Sequence, residues 1–207
     1  VRSEFQKPMK LKQGEWSPIT KIRNKEVLLV ASGPKAKDYK REIEKYIELK
    51  KPFVIALNTS VSINKKFINI FAACNPLKLM ADVNLYKTLT LPLAVPETLL
   101  SDDLKKKFKN VKILDFGVGV KENHFKFYKT GAGMPKLYTF VYALSIATSG
   151  NASKILLAGF DGYGNQDRRT KIIDELLYLY SSFKDAKPIV AVTPTSYSVA
   201  SVSIYSL

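Results

Sequence analysis

The chain has 207 residues, 46% of them apolar, a single cysteine and a formal net charge of +15. That length suits one domain with a sizeable core or two very small ones, and the apolar share excludes an intrinsically disordered chain. Its apolar runs are too short to span a bilayer, Cys74 alone permits no internal disulfide, and the charge calls for an anionic partner.

Residues 1–25 are polar and basic and are broken by Pro8 and Pro18. They read as a linker or N-terminal arm, ahead of one domain over 26–207. "VLLVA" (27–31) is a short continuous apolar run, the pattern of a strand covered on both faces. It breaks at Ser32-Gly33-Pro34, and a charged amphipathic helix is expected over 36–50. "PFVIAL" (52–57) is a second buried strand ending at Asn58. "FINIFAA" (67–73) is a third, ending at Cys74-Asn75-Pro76, with a short helix over 77–82. "LTLPLA" (89–94) is a poorer strand because Pro92 cannot donate to a ladder. A helix is expected from Glu97, with Pro96 placed to start it.

"VKILDF" (111–116) is another strand, followed by a glycine-rich aromatic loop and a long apolar helix over 134–147. "KILLAG" (154–159) is a strand, 169–183 a helix, and "PIVAVTP" (188–194) the last strand. Buried strands alternating with helices predict an α/β fold, a mostly parallel sheet covered by helices on both faces as a three-layer sandwich. The lysines are spread over "KLK", "KAKDYKREIEK", "ELKK" and "DDLKKKFKN", as on solvated helix faces, so no nucleic-acid partner is expected. Neither a metal-ligand spacing nor an internal repeat stands out, and no cofactor is expected. Reduced Cys74 and the lack of a signal pattern at the N-terminus suggest the cytoplasm.

Ligands of such sheets collect at the carboxyl ends of the strands. The residues that stop the strands are therefore the binding candidates: Ser32, Gly33, Asn58, Asn75, Asp161 and Tyr163, with Thr193-Pro194 at the last strand. The Ser32-Gly33-Pro34 turn offers backbone N–H groups at a helix start, with Lys35 and Lys37 nearby, to a phosphate; a plain tight turn is the alternative. Asn58 and Asn75 either contact a ligand or form turns. In "GFDGYGNQDRR", Asp161 suits sugar hydroxyls or loop capping, and Tyr163 suits a phosphate oxygen. Arg168 and Arg169 suit an anion. His124 is the sole histidine and stands in a loop. No nucleophile or base emerges from spacing alone.

At these strand ends the chain resembles the bacterial single-domain sialyltransferases and their flagellin-modifying motility-accessory-factor relatives. The pieces that carry the resemblance are "VLLVASGP", "VIALNTS", "IFAACNPLKL", "TGAGMPKLYTFVYALSIA", "ILLAGFDGY" and "IVAVTPTSY", in the family's order. It is also similar to the C-terminal domain behind HMG-CoA-lyase-like aldolases of the 4-hydroxy-2-oxovalerate type in bacterial surface-polysaccharide gene sets. "LAGFDGY" and the "TPTSYSVASVSIYSL" tail carry that likeness.

The resemblances imply a Rossmann-like fold that binds an anionic nucleotide-sugar, such as a CMP-activated acidic sugar, or a sugar phosphate. They also imply an upstream aldolase domain, consistent with a start at Val1. By the first resemblance Gly33 is the close-approach glycine of the nucleotide loop. Asn58 and Asn75 contact nucleotide and sugar, and Tyr163 holds the leaving phosphate. Ser32 replaces a family asparagine. The family's lid and following histidine base have no counterpart after Tyr163. An active transferase and a non-catalytic interaction domain therefore stay open as alternatives to a binding module.

Overall fold

The computed structural model describes residues 7–164 and 167–207. Five apolar segments form the first strands: β1 (Glu26–Val30), β2 (Phe53–Leu57), β3 (Ile70–Ala72), β4 (Leu93–Ala94) and β5 (Ile113–Leu114). A glycine-rich stretch then gives β6 (Gly117–Val120), β7 (Lys126–Tyr128) and β8 (Gly131–Met134), followed by β9 (Lys154–Ala158), β10 (Ile189–Ala191) and β11 (Ala200–Ser201). Eight of them make one sheet in the order β11-β10-β9-β1-β2-β3-β4-β5, and every ladder in it is parallel. Both faces are covered, which makes the molecule a Rossmann-like α/β sandwich.

The helices are α1 (Ile19–Ile22), α2 (Pro34–Asp38), α3 (Lys40–Lys50), α4 (Pro76–Ala81), α5 (Val83–Tyr86), α6 (Asp102–Lys107), α7 (Thr139–Ser149) and α8 (Arg168–Ser181). Strand alternation splits the core in two. Val27, Leu29, Ile55 and Leu157 face α7, α8 and the small sheet. Leu28, Val30, Val54 and Leu156 face α3, α4, α5 and α6. All eight residues are fully buried or nearly so. A strand buried on both sides needs no polar alternation, so β1 reads as an unbroken apolar run.

Several boundaries differ from the sequence reading, each for a local reason. The first long helix is two, divided at Tyr39 (φ −100°, ψ 18°). The third strand shrinks to Ile70–Ala72, because Asn64 caps a short 3-10 turn over Lys65–Phe67. Pro92 stays outside β4, offering only its carbonyl to the Phe71 N–H. The helix expected from Glu97 is a 3-10 turn; α6 begins after Ser101, whose hydroxyl accepts from the Leu104 N–H at 3.3 Å.

The largest difference is the stretch read as a glycine-rich loop, which forms a second sheet in the order β6-β8-β7. Residues of the arm lie along it. Met9 pairs with Val120, Lys12 N–H donates to Val118 O, and Gly14 N–H donates to Thr130 O. Gly117 and Gly119 have no room for a side chain: a Cβ would stand 1.9 Å from Lys12 O or 2.6 Å from Leu11 Cα. Met134 ends β8, so α7 starts later than expected, at Thr139. Residues Phe140–Thr148 of α7 are all buried, because the main sheet lies on one side and β7 and β8 on the other. A helix covered on all sides is apolar all round. Two of its buried polar residues are satisfied internally: Ser145 donates to Val141 O, and Thr148 pairs with the Tyr180 hydroxyl at 2.7 Å.

Candidate functional site

β1 runs in the middle of the main sheet, with β2 on one side and β9 on the other. From β1 the chain winds outward to β5 in one direction, and it returns to β9 in the other. The loops after β1 and β9 therefore diverge, and a crevice opens at their carboxyl ends. Here that crevice is a cleft of about 550 Å³. Ser32, Gly33, Asn58, Asn75, Asp161, Tyr163 and Arg169 all line it. Arg168 opens α8 and is not among the walls. Asn165 and Gln166, in the same quoted stretch, lie outside the described residues.

The end of β9 is fastened on three sides. Gly159 N–H donates to the Thr193 hydroxyl at 2.9 Å, and Gly33 N–H donates to Gly159 O at 3.0 Å. Ser196 N–H donates to Asp161 O at 3.0 Å. Gly162 sits at φ 93°, where a Cβ would fall 1.8 Å from Ser196 Oγ. At Gly33 a Cβ would fall 2.3 Å from Gly159 O and 2.6 Å from Asp161 Oδ1. The close approach that requires a glycine there is that of the chain's own strand end. Thr193, a strand-stopping residue, holds the Gly159 N–H and does not line the cleft.

Asp161 reaches across to α2. Its Oδ2 accepts from the Lys35 N–H at 2.7 Å, and its Oδ1 is buried with no partner among the described residues. Burial pushes this carboxyl above the usual aspartate range, and the Lys35 N–H pulls the other way. At the Ser32-Gly33-Pro34 turn, where a phosphate cradle or a plain tight turn was expected, several N–H groups are engaged within the chain. Gly33 N–H and Lys35 N–H are both occupied within the chain, Ala36 N–H donates to Gly33 O, and Pro34 has none. A carboxylate already sits at the start of α2.

Asn58 adopts φ 57°, and its Oδ1 lies 3.4 Å from the Thr139 hydroxyl and 3.5 Å from that of Tyr86. It is a turn residue and a wall at once. Asn75 Oδ1 caps α4, accepting from Leu77 and Lys78 N–H groups at 3.0 and 3.2 Å. Tyr163 is 41% exposed, with the Arg169 guanidinium over its ring at 3.9 Å. Thr170 ties Tyr163 to α8 by bonding both its N–H and its carbonyl. Arg169 is forked onto Asp167 at 2.6 Å, and this contact brings the Asp167 carboxyl down to about 2.

Sequence reasoning missed four parts of the wall: Lys78, the Leu137–Phe140 approach to α7, Ile173 and Tyr197. Lys78 could have been found from "NPLKL", since it stands in the first turn of the helix that Asn75 caps. Tyr197 has its hydroxyl pushed up to about 12 by burial. Phe140 and Phe160 meet edge to face at 5.0 Å and give the cleft an apolar base. His124 does not line it. Cys74 is buried, and burial raises its thiol to about 12, the behaviour of a small core residue. Among the described residues no group of His, Cys, Asp or Glu could hold a metal ion, and no helix is long and apolar enough to cross a membrane.

The chain's sequence matches no protein-family model and no curated protein. Its structure is similar to that of the MAf glycosyltransferase from Magnetospirillum magneticum AMB-1, with a TM-score of 0.63 over 97% of this chain and 10% sequence identity. The chain spans 36% of that structure's length. At this identity the likeness is one of fold alone.

Proposed function

We propose that the cleft binds a sugar nucleotide and that the domain serves a glycosyltransferase-like reaction. The observation that carries this reading is the open cleft at the divergence of β1 and β9, with cationic Lys78 and Arg169 and the rings of Tyr138, Tyr163 and Tyr197 in its walls. Its volume falls within the usual range for ligand pockets, about 300–1,000 Å³. Cations suit a diphosphate or monophosphate bridge, aromatic faces suit a base or a sugar ring, and Asn58 and Asn75 offer amide groups to hydroxyls. The phosphate belongs on the Arg169 and Tyr163 side, away from the Asp161 carboxylate at α2.

The resemblance to sialyltransferases favours a CMP-activated acidic sugar as the ligand. The likeness to aldolase C-terminal domains favours an upstream aldolase-type module in the same cytoplasmic protein of surface-carbohydrate synthesis. We take binding as the role of this segment, because its single histidine is not in the cleft. Calorimetry with CMP, UDP and a sugar phosphate tests the reading. Binding of a nucleotide that weakens on Lys78→Ala and Arg169→Ala supports it. Absence of binding at millimolar ligand, or binding indifferent to both substitutions, overturns it.

A further inference from the structure

The arm and the small sheet enclose a second groove of about 350 Å³, apart from the main cleft. Its floor is apolar and low: Met9 and Val120, with Gly119 and Gly133 adding no side chains. Its rim is cationic. Lys10 comes from the arm, Lys121 from the β6–β7 connection and Lys126 from β7, with His124 and Tyr128 beside them. Lys126 Nζ lies 5.2 Å from the centre of the Tyr128 ring. Among the described residues no carboxylate lines the groove. Clustering cations around an apolar trough is unfavourable without an anion to neutralise them.

We propose that this groove binds an acidic oligosaccharide, and that it is the acceptor subsite of the domain. The groove is too small for a folded partner, at the low end of ligand pockets. The rim lysines suit carboxylates carried on sugar rings, while Tyr128 and the Met9–Val120 floor suit the apolar ring faces. The two sites are connected through β8. Gly133 lines the groove, and Leu137, four residues on, lines the main cleft. Four residues span at most about 14 Å, so the backbones of Gly133 and Leu137 lie within that distance of each other. The acceptor role rests on the reading of the cleft proposed above; the oligosaccharide site does not.

The experiment is calorimetric titration of the 207-residue protein with a short oligogalacturonate, a neutral maltodextrin, a single-stranded DNA oligonucleotide and CMP. Two variants accompany it. Lys121→Glu with Lys126→Glu reverses the rim at exposed positions. Gly133→Leu fills the floor, where a Cβ meets nothing closer than 3.9 Å. The oligogalacturonate is expected to bind, the maltodextrin not to, and each variant to weaken oligogalacturonate by about tenfold or more while leaving CMP unchanged. No oligogalacturonate binding at low salt, binding indifferent to both variants, or tighter binding of the DNA overturns the proposal. If oligogalacturonate binds through the groove and CMP binds nowhere, the groove stands and the reading of the cleft falls.

Discussion

Tyr163 and Asp161 stand two residues apart and do opposite things. The Tyr163 ring lies against Arg169, its backbone is tied to Thr170, and its hydroxyl is not needed by any hydrogen bond described within the chain. Tyr163→Phe keeps the stacked ring, so thermal unfolding should be unchanged while nucleotide affinity falls by roughly 0.5–3 kcal/mol, the range for one hydrogen bond to a neutral or charged partner. Differential scanning calorimetry beside a CMP titration separates the two effects; a shifted melting temperature with intact affinity refutes the assignment. Asp161 is engaged inside the fold. Its carboxyl is raised in the folded state, with burial the larger cause. A raised acid favours folding while protonated, and that contribution is lost as pH rises through the folded value. Asp161→Asn keeps an acceptor for the Lys35 N–H and removes the charge. The variant should therefore gain stability relative to wild type between about pH 3 and pH 7, read from urea midpoints at both ends. A wild type that gains stability on the variant as pH rises contradicts the reading.

At the scale of elements, β1, β2, β9 and α8 were legible because each carries a pattern that its surroundings reinforce. Val27–Val30 are buried on both faces and read as a run; Asp167 caps α8 where the helix was expected to begin. The strand ends were legible for the same reason: in a parallel sheet the last apolar residue fixes which polar residue faces the crevice. The small sheet was not legible. Its strands are rich in glycine, which has poor intrinsic β preference, and they hold together through the arm on one side and α7 on the other. Nor was the wall made by Leu137–Phe140, since its position depends on that sheet. Gly119→Val tests the dependence. Its side chain meets Leu11 backbone within 3 Å, so the arm should lift from β6, and limited trypsin digestion should cut at Lys10 or Lys12 far faster than in wild type. The remaining domain should stay folded, because the main sheet has its own core. Unchanged cleavage would show that the arm tolerates the bulk.

For the whole molecule, sharing a fold with a glycosyltransferase and being a transferase are separate matters. This chain spans 36% of the MAf glycosyltransferase it resembles in structure, and its walls hold few groups able to accept a proton. Lys78 and Arg169 are cations, the Tyr197 hydroxyl is raised to about 12, and the Asp161 carboxylate is turned to the Lys35 N–H with its other oxygen buried. His124 lies on the far groove, edge-on to Phe183 at 6.2 Å. A positioned base typically supplies about 10²–10⁴-fold in rate. The 207-residue chain should therefore bind a CMP-activated acidic sugar yet release CMP slower than a base-equipped transferase by about that factor. Binding should also weaken with salt, because a net charge of +15 attracts an anion through a field that salt screens. CMP release and ligand affinity, measured on the same preparation at low and high ionic strength, test both statements. Fast release that disappears in Asp161→Asn would make Asp161 the base after all, and the domain a transferase in its own right.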